Sequence, residues 1–174
     1  MAMHDRRHTR AKWHRYDGAT YFVTVCTLGR EHSFGEIHNG EMYLSPLGHV
    51  LEEAIARVND PLRKVIVPES VIMPNHFHLL LCVDNVCPAL AGNIRSGAMI
   101  DRQPTRCGET RERLGVIIGG IKGYVTHLAR RGQIDFHWQS RFHDRIVRTY
   151  EEYARIASYI RCNPSSWHDD CFFT

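Results

Sequence analysis

Four side chains in this sequence could do chemistry together: His76 and His78, two positions apart, and Tyr159 and Asn163, four apart. The histidines lie in the apolar run Val71 to Val83, which reads as a buried strand. Alternate residues of a strand project to the same face, so both imidazoles point one way. On that reading Ile72, Leu80 and Cys82 share their face, while Val71, Met73, Phe77, Leu79, Leu81 and Val83 fill the core face. Burying two imidazoles is costly unless every ring nitrogen finds a partner, and one divalent cation held between them supplies a partner to each. The plain alternative is a hydrogen-bonded pair of core histidines.

Tyr159 and Asn163 stack one turn apart on a helix whose packing stripe is Tyr153, Ile156, Ala157 and Ile160. Asn163 precedes Pro164, which places it in the final turn. Two neutral imidazoles and one amide oxygen make a three-ligand N/O site with open positions for phosphate oxygens and water. Such a donor set suits Mg²⁺ or Mn²⁺ completed by its substrate. The ion would act as a Lewis acid on a phosphoryl group, and a phenol one turn before the amide would reach that phosphorus as a nucleophile. Tyr150 and Tyr153 have Ala154 and Ala157 at the same offset, so neither shares this pairing. For the helix alone, a packed tyrosine and a capping asparagine is the competing reading.

The elements that must position these groups are legible in outline. Tyr21 to Thr27 reads as a first strand, and His32–Ile37 with Glu41–Leu44 as a hairpin turning at Asn39-Gly40. Ser45-Pro46 is an N-cap followed by proline at the first helical position, and Val50, Leu51, Ala54, Ile55 and Val58 continue that helix to Asp60-Pro61. Strands follow at Lys64–Val67 and Val71–Val83, irregular at Pro68–Ser70 and Pro74–Asn75. Residues 84–112 have little periodicity and read as a long loop. A helix from Leu114 to Arg131 turns Ile117, Ile118, Ile121, Tyr124, Val125 and Leu128 inward; Gly119, Gly120 and Gly123 weaken it, so packing must hold it or a backbone must approach closely. His143–Arg148 and Tyr150–Cys162 close the chain as strand and helix. The order β, hairpin, α, β, β, α, β, α implies an α+β fold: a ferredoxin-like antiparallel sheet with two helices on one face and an added C-terminal helix.

With 174 residues, 43% hydrophobic and 24% charged, the chain suits one globular domain spanning 1–174. No run approaches a membrane span and no apolar leader is visible, which points to the cytoplasm and no membrane partner. The six cysteines form no Cys-x-x-Cys pair, which argues against a structural zinc site. The net charge of +3 is concentrated: residues 1–15 carry Arg6, Arg7, Arg10, Lys12 and Arg15 against Asp5, which reads equally as a basic arm that could neutralise phosphates or as a solvated tail. Lys122, Arg148, Arg155 and Arg161 are further candidate phosphate contacts, and Trp13, Tyr16 and Trp167 candidate base-stacking groups.

Met73-Pro74-Asn75-His76-Phe77-His78-Leu79 resembles the HUH motif (His, bulky hydrophobe, His) of the small single-tyrosine transposases. Trp138-Gln139, Phe142 to Arg148 and Tyr159-Ile160-Arg161-Cys162-Asn163-Pro164 are similar, in order, to that family's C-terminal segments. The resemblance runs from about Tyr21 to Phe173 and is nearest to the REP-associated tyrosine transposases, relatives of the insertion sequence 200-like elements. It implies a transposase: metal-dependent cleavage and rejoining of single-stranded DNA through a 5′-phosphotyrosine, with Mg²⁺ or Mn²⁺ as cofactor and hairpin DNA as partner, in association with the nucleoid. It further implies Tyr159 as nucleophile and His76, His78 and Asn163 as metal ligands. Members of the family work as monomers or as homodimers, so the resemblance leaves that choice open. Two other classes compete: a nucleic-acid-binding regulator of the same fold with little catalysis, and a metal-binding protein without nucleic acid. The intact set of four argues against the first, and the basic arm against the second.

Overall fold

The computed structural model describes residues 19–60, 62, 64–83, 87 and 110–173, and the side chains of all of these except 110–112. The basic arm, and all of the 84–112 stretch except Cys87 and the helical residues 110–112, lie outside the described residues.

The elements are β1 (Thr20–Cys26), β2 (Gly35–His38), β3 (Glu41–Leu44), α1 (Pro46–Val58), β4 (Val65–Met73), β5 (His76–Val83), α2 (Thr110–Arg131), β6 (His143–Val147) and α3 (Tyr150–Cys162), followed by a 3-10 turn, Pro164–Asp169. The sheet order is β4-β5-β1-β6, with the pairings antiparallel throughout, and β2-β3 stands apart as a hairpin. With the hairpin set aside, this is the expected ferredoxin-like layout. Asn39 and Gly40 both carry positive φ, the geometry their two-residue turn requires. Ser45 caps α1 by accepting a hydrogen bond from the Gly48 amide at 3.0 Å.

Each sheet face has its own core. Tyr21, Val23 and Val25 of β1 and Phe77, Leu79, Leu81 and Val83 of β5 pack against Leu47, Leu51, Ala54 and Ile55 of α1 and Leu114, Ile118, Ile121 and Val125 of α2. On the opposite face Leu80 and Cys82 meet Tyr153, Ile156, Ala157 and Ile160 of α3, the stripe expected from the sequence. The histidine face is therefore a second core covered by the added helix. The polar island anticipated from the alternation is sealed inside the protein.

The apolar run containing the histidines is two strands. Pro74 and Asn75 form a tight turn that pairs Met73 with His76, Ile72 with Phe77 and Val71 with His78. Cross-strand partners share a face, so a turn of two residues inverts the parity expected for one continuous strand. Val71 packs with the histidine face and Ile72 against the α1–α2 core, the reverse of the sequence reading. Further back, β4 runs through Pro68–Ser70 with a shift in register between Ile66 and Glu69.

Helix α2 begins four residues before the expected start. Its buried line is Leu114, Ile118, Ile121, Val125 and Ala129, with Ile117, Tyr124 and Leu128 partly exposed at its edges. A Cβ at Gly119, Gly120 or Gly123 would meet nothing within 4 Å, so α2 is held by its other side and no close backbone approach uses these glycines.

The Pro74–Asn75 turn is anchored from outside. Phe34 donates its amide to the Pro74 carbonyl at 3.0 Å, and Thr27 donates both its amide (2.9 Å) and its hydroxyl (3.0 Å) to the Asn75 carbonyl. The Phe34 carbonyl in turn accepts from the Ser45 amide, which ties the start of α1 to the same point. Gly48 makes this possible, because a Cβ there would lie 2.2 Å from the Phe34 carbonyl oxygen. Gly48→Ala should therefore destabilise the protein by about 1–3 kcal/mol, whereas Gly120→Ala should leave stability equal or slightly higher. Urea unfolding of the two variants tests this, and equal loss in both would show that the Phe34 contact does not matter.

Candidate active site

Strand pairing sets which side chains flank the histidines. β1 places Thr24 opposite His78 and Cys26 opposite His76, and both rings are buried, with 0% and 1% of their surface exposed. Their ring centroids lie 4.6 Å apart, and their Nε2 atoms face each other at 3.1 Å. Each Nδ1 has its own partner: Asn75 Oδ1 at 2.8 Å for His76, and Thr24 Oγ1 at 2.8 Å for His78.

The proton positions follow from these partners. The Asn75 amide nitrogen is committed as a donor to the Phe172 carbonyl at 2.8 Å and the Arg30 carbonyl at 3.3 Å. Its Oδ1 can only accept, so His76 carries its proton on Nδ1 and turns a lone pair inward from Nε2. Without a cation, His78 must donate from Nε2 into that lone pair, with Thr24 donating to its Nδ1. With a cation between the Nε2 atoms, the His78 proton moves to Nδ1 and the Thr24 hydroxyl becomes the acceptor. A hydroxyl can make that exchange without any change of backbone. Ring nitrogens anchored behind and lone pairs converging in front are how metal-binding histidines are usually held.

Burial, and for His76 also the nearby Arg30 charge, lowers both imidazoles to about 3; for His78 the second cause is His76 itself. Both are therefore neutral, the form that binds metal.

Thr149 caps α3 by accepting from the Glu152 amide, and Glu152 accepts from the Arg148 amide. The helix delivers Tyr159 to the rim of the cluster. Its phenol is 43% exposed, 3.3 Å from His78 Nε2 and 3.4 Å from Asp170 Oδ2. Burial and the Asp170 carboxylate push it up to about 12, while the Asn163 amide pulls the other way. Asn163 is buried at the helix end, and its Oδ1 has no hydrogen-bond partner. A buried, unsatisfied carbonyl oxygen is costly, and a cation would satisfy it. The donors fit a divalent ion: two neutral imidazoles, one orphaned amide oxygen and one nearby carboxylate.

Asn163 is αR despite the following proline, and the chain continues as the 3-10 turn, then doubles back over the histidines. Trp167 lies 6.0 Å and Phe172 4.5 Å from the His76 ring centroid. Arg30 holds this segment through the Cys171 carbonyl at 2.9 Å and lies over the Phe172 ring.

The structure thus brings His76, His78 and Tyr159 together, with Asn163 beside the phenol. Of the other candidates, Arg148 and Arg155 are exposed on the α3 side, and Arg161 pairs with Glu69 on β4. Lys122 donates to the Gln139 carbonyl at 2.7 Å and lies over Trp138, fastening α2 to the segment before β6. Trp167 is buried against His76, so it packs the site and offers no free stacking face. Arg6, Arg7, Arg10, Lys12, Trp13 and Tyr16 lie outside the described residues. Of the described cysteines, Cys26, Cys82 and Cys87 are buried, whereas Cys162 and Cys171 are exposed; these five are free thiols. Sequence reasoning missed Thr24, Asn75 and Asp170. Asn75 stood next to His76 in the sequence, but nothing in the spacing pointed to the other two.

No family model matches the chain. A protein of Haemophilus influenzae, described only as uncharacterised, is 29% identical over 170 residues, 97% of this chain and 93% of its own length. The solved structure of a REP-associated tyrosine transposase bound to a REP hairpin is 20% identical and covers 96% of this chain and 74% of its own, with a TM-score of 0.58. The chain therefore has the fold of a tyrosine transposase. Among the described residues, no helix is long and apolar enough to cross a membrane.

The buried pair makes stability sensitive to acid. Each ring has a native value near 3 against an ordinary 6.5, so below 6.5 the unfolded chain binds protons that the native one refuses. The stability contributed by these rings is complete above 6.5 and is lost as pH falls toward 3, at about 1.4 kcal/mol per histidine per pH unit. Metal-free urea unfolding should show this loss from about pH 7 to about pH 5, and a His76→Gln/His78→Gln variant should flatten it. An equally steep dependence in the double variant would place the acid sensitivity elsewhere.

Proposed function

We propose that this protein is a metal-dependent single-stranded DNA endonuclease and strand transferase of the transposase kind, acting on hairpin DNA. The observation that carries the reading is the Tyr159 hydroxyl 3.3 Å from His78 Nε2, in a buried histidine pair whose Nδ1 atoms are held by Asn75 and Thr24. The fold, shared with a transposase solved on a REP hairpin, supports it.

In this reading Tyr159 Oη attacks the scissile phosphorus. The P–O3′ bond breaks, the phenol loses its proton to solvent, and the departing 3′ oxygen takes one up. The 5′ phosphate stays on the protein as a phosphotyrosine ester, and a second 3′ hydroxyl reverses the step to join a new strand. His76, His78 and Asn163 would hold Mg²⁺ or Mn²⁺. When bound, the ion would supply Lewis-acid polarisation of the phosphate and favour the phenolate, which burial and Asp170 disfavour by holding the phenol near 12. Tyr159 is the exposed rim of an otherwise buried cluster, which suits a group that meets its substrate first. The basic arm, with Arg6, Arg7, Arg10 and Lys12, and the exposed Arg148 and Arg155 would contribute phosphate contacts. Lys122, bound to Gln139, would act through the shape of the site.

Tyr159→Phe removes one hydroxyl from a half-exposed position and should leave folding and hairpin affinity close to wild type. Incubation with hairpin-bearing single-stranded DNA and Mg²⁺ or Mn²⁺ should then give neither cleavage nor the covalent adduct seen as a shift in a denaturing gel. Tyr150→Phe, at an exposed position on the same helix, should retain both. Adduct formation by the Tyr159→Phe protein would put the nucleophile elsewhere. Hairpin binding without cleavage by the wild type would favour the regulator.

A further inference from the structure

Asp170 belongs to no sequence motif singled out above, yet it is the acidic group that closes the cluster. One ring nitrogen from each of His76 and His78 and one carboxylate oxygen of Asp170 lie within 4.8 Å of one another. The carboxylate divides its work between its two oxygens. Oδ1 accepts the Phe172 amide at 2.8 Å, which fixes the side chain in a local turn. Oδ2 faces the Tyr159 hydroxyl on the histidine side at 3.4 Å.

Charge makes the case stronger. A divalent ion held by two imidazoles and an amide would bring its full +2 charge into a site walled by Phe22, Trp167 and Phe172. Uncompensated charge in such surroundings is expensive, and a carboxylate in direct contact halves it. Hard divalent ions also take oxygen ligands, carboxylates above all.

We infer that Asp170 is the anionic ligand of the divalent cation that His76 and His78 would hold, with Asn163 supplying a neutral oxygen. This rests on the metal-dependent reading given above and deepens it. A consequence follows for the nucleophile. The Tyr159 hydroxyl lies beside His78 Nε2 and Asp170 Oδ2, on the same two side chains that would hold the ion. A bound cation would therefore compete with the phenol for both partners.

The test uses the full chain without DNA, so it is independent of cleavage. Mn²⁺ binding is followed by loss of the free-ion electron paramagnetic resonance signal in wild type, Asp170→Asn, Asp169→Asn and His76→Gln. Asparagine at 170 keeps Oδ1 as acceptor for the Phe172 amide, so the turn is retained, and near-ultraviolet circular dichroism checks it. Asp170→Asn and His76→Gln should each weaken Mn²⁺ binding about tenfold or more, and the exposed Asp169→Asn should match wild type. Wild-type affinity in Asp170→Asn alongside loss in His76→Gln would overturn the assignment of Asp170 and leave the metal reading standing. Absence of binding in the wild type would overturn both. Crystals of the wild type grown with Mn²⁺ give a second answer that no variant's folding can obscure. An anomalous peak coordinated by the two histidines and Asp170 supports the inference, and one with Asp170 turned away overturns it.

Discussion

Everything at this site depends on burying two imidazoles side by side without leaving a ring nitrogen unsatisfied. Four nitrogens need partners in a volume that water does not reach. The solution draws on the whole sheet. β1 brings Thr24 to the outer nitrogen of His78, the Pro74–Asn75 turn brings a carboxamide to that of His76, and the inner two face each other. Because a hydroxyl can donate or accept, the arrangement is satisfied both with one shared proton and with a cation between the rings. The pair is thus poised between two proton inventories at little conformational cost.

The same constraint explains why the turn is braced so heavily. If Asn75 moved, His76 would lose its orientation, and Asn75 also carries the returning C-terminal segment through its hydrogen bond to Phe172. Thr27, Phe34 and the capped start of α1 converge on this point from the other side. The α1–α2 core therefore does more than stabilise the sheet. It fixes the position of a two-residue turn whose carboxamide sets the tautomer of the first histidine.

Helix α3 serves the opposite face in two ways. Its buried stripe seals the hydrophobic half of that face, and its C-terminal end sets a phenol beside the imidazoles and an amide beside the phenol. The phenol is held in its neutral form by burial and by Asp170, so nucleophilic character has to come from something that enters the site.

The sequence by itself determined the order of elements and how the candidate residues are spaced within them. Strand alternation put His76 and His78 on one side, helical spacing put Tyr159 one turn before Asn163, and Ser45-Pro46 and Asn39-Gly40 marked a cap and a turn that the structure contains. These are local rules, in which the period of the backbone decides. Two local readings failed where a short-range event changed the period: the turn at Pro74–Asn75 inverted which of Val71 and Ile72 faces the histidines, and α2 began earlier than its apolar pattern suggested. Tertiary structure alone decided what surrounds the histidines. Thr24, opposite His78 across a strand pair, and Asp170, 94 residues beyond His76, became neighbours because sheet pairing and the doubling back after Pro164 put them there. Spacing reports which residues of one element share a face. It carries no information about which distant residue will fill the space in front of them.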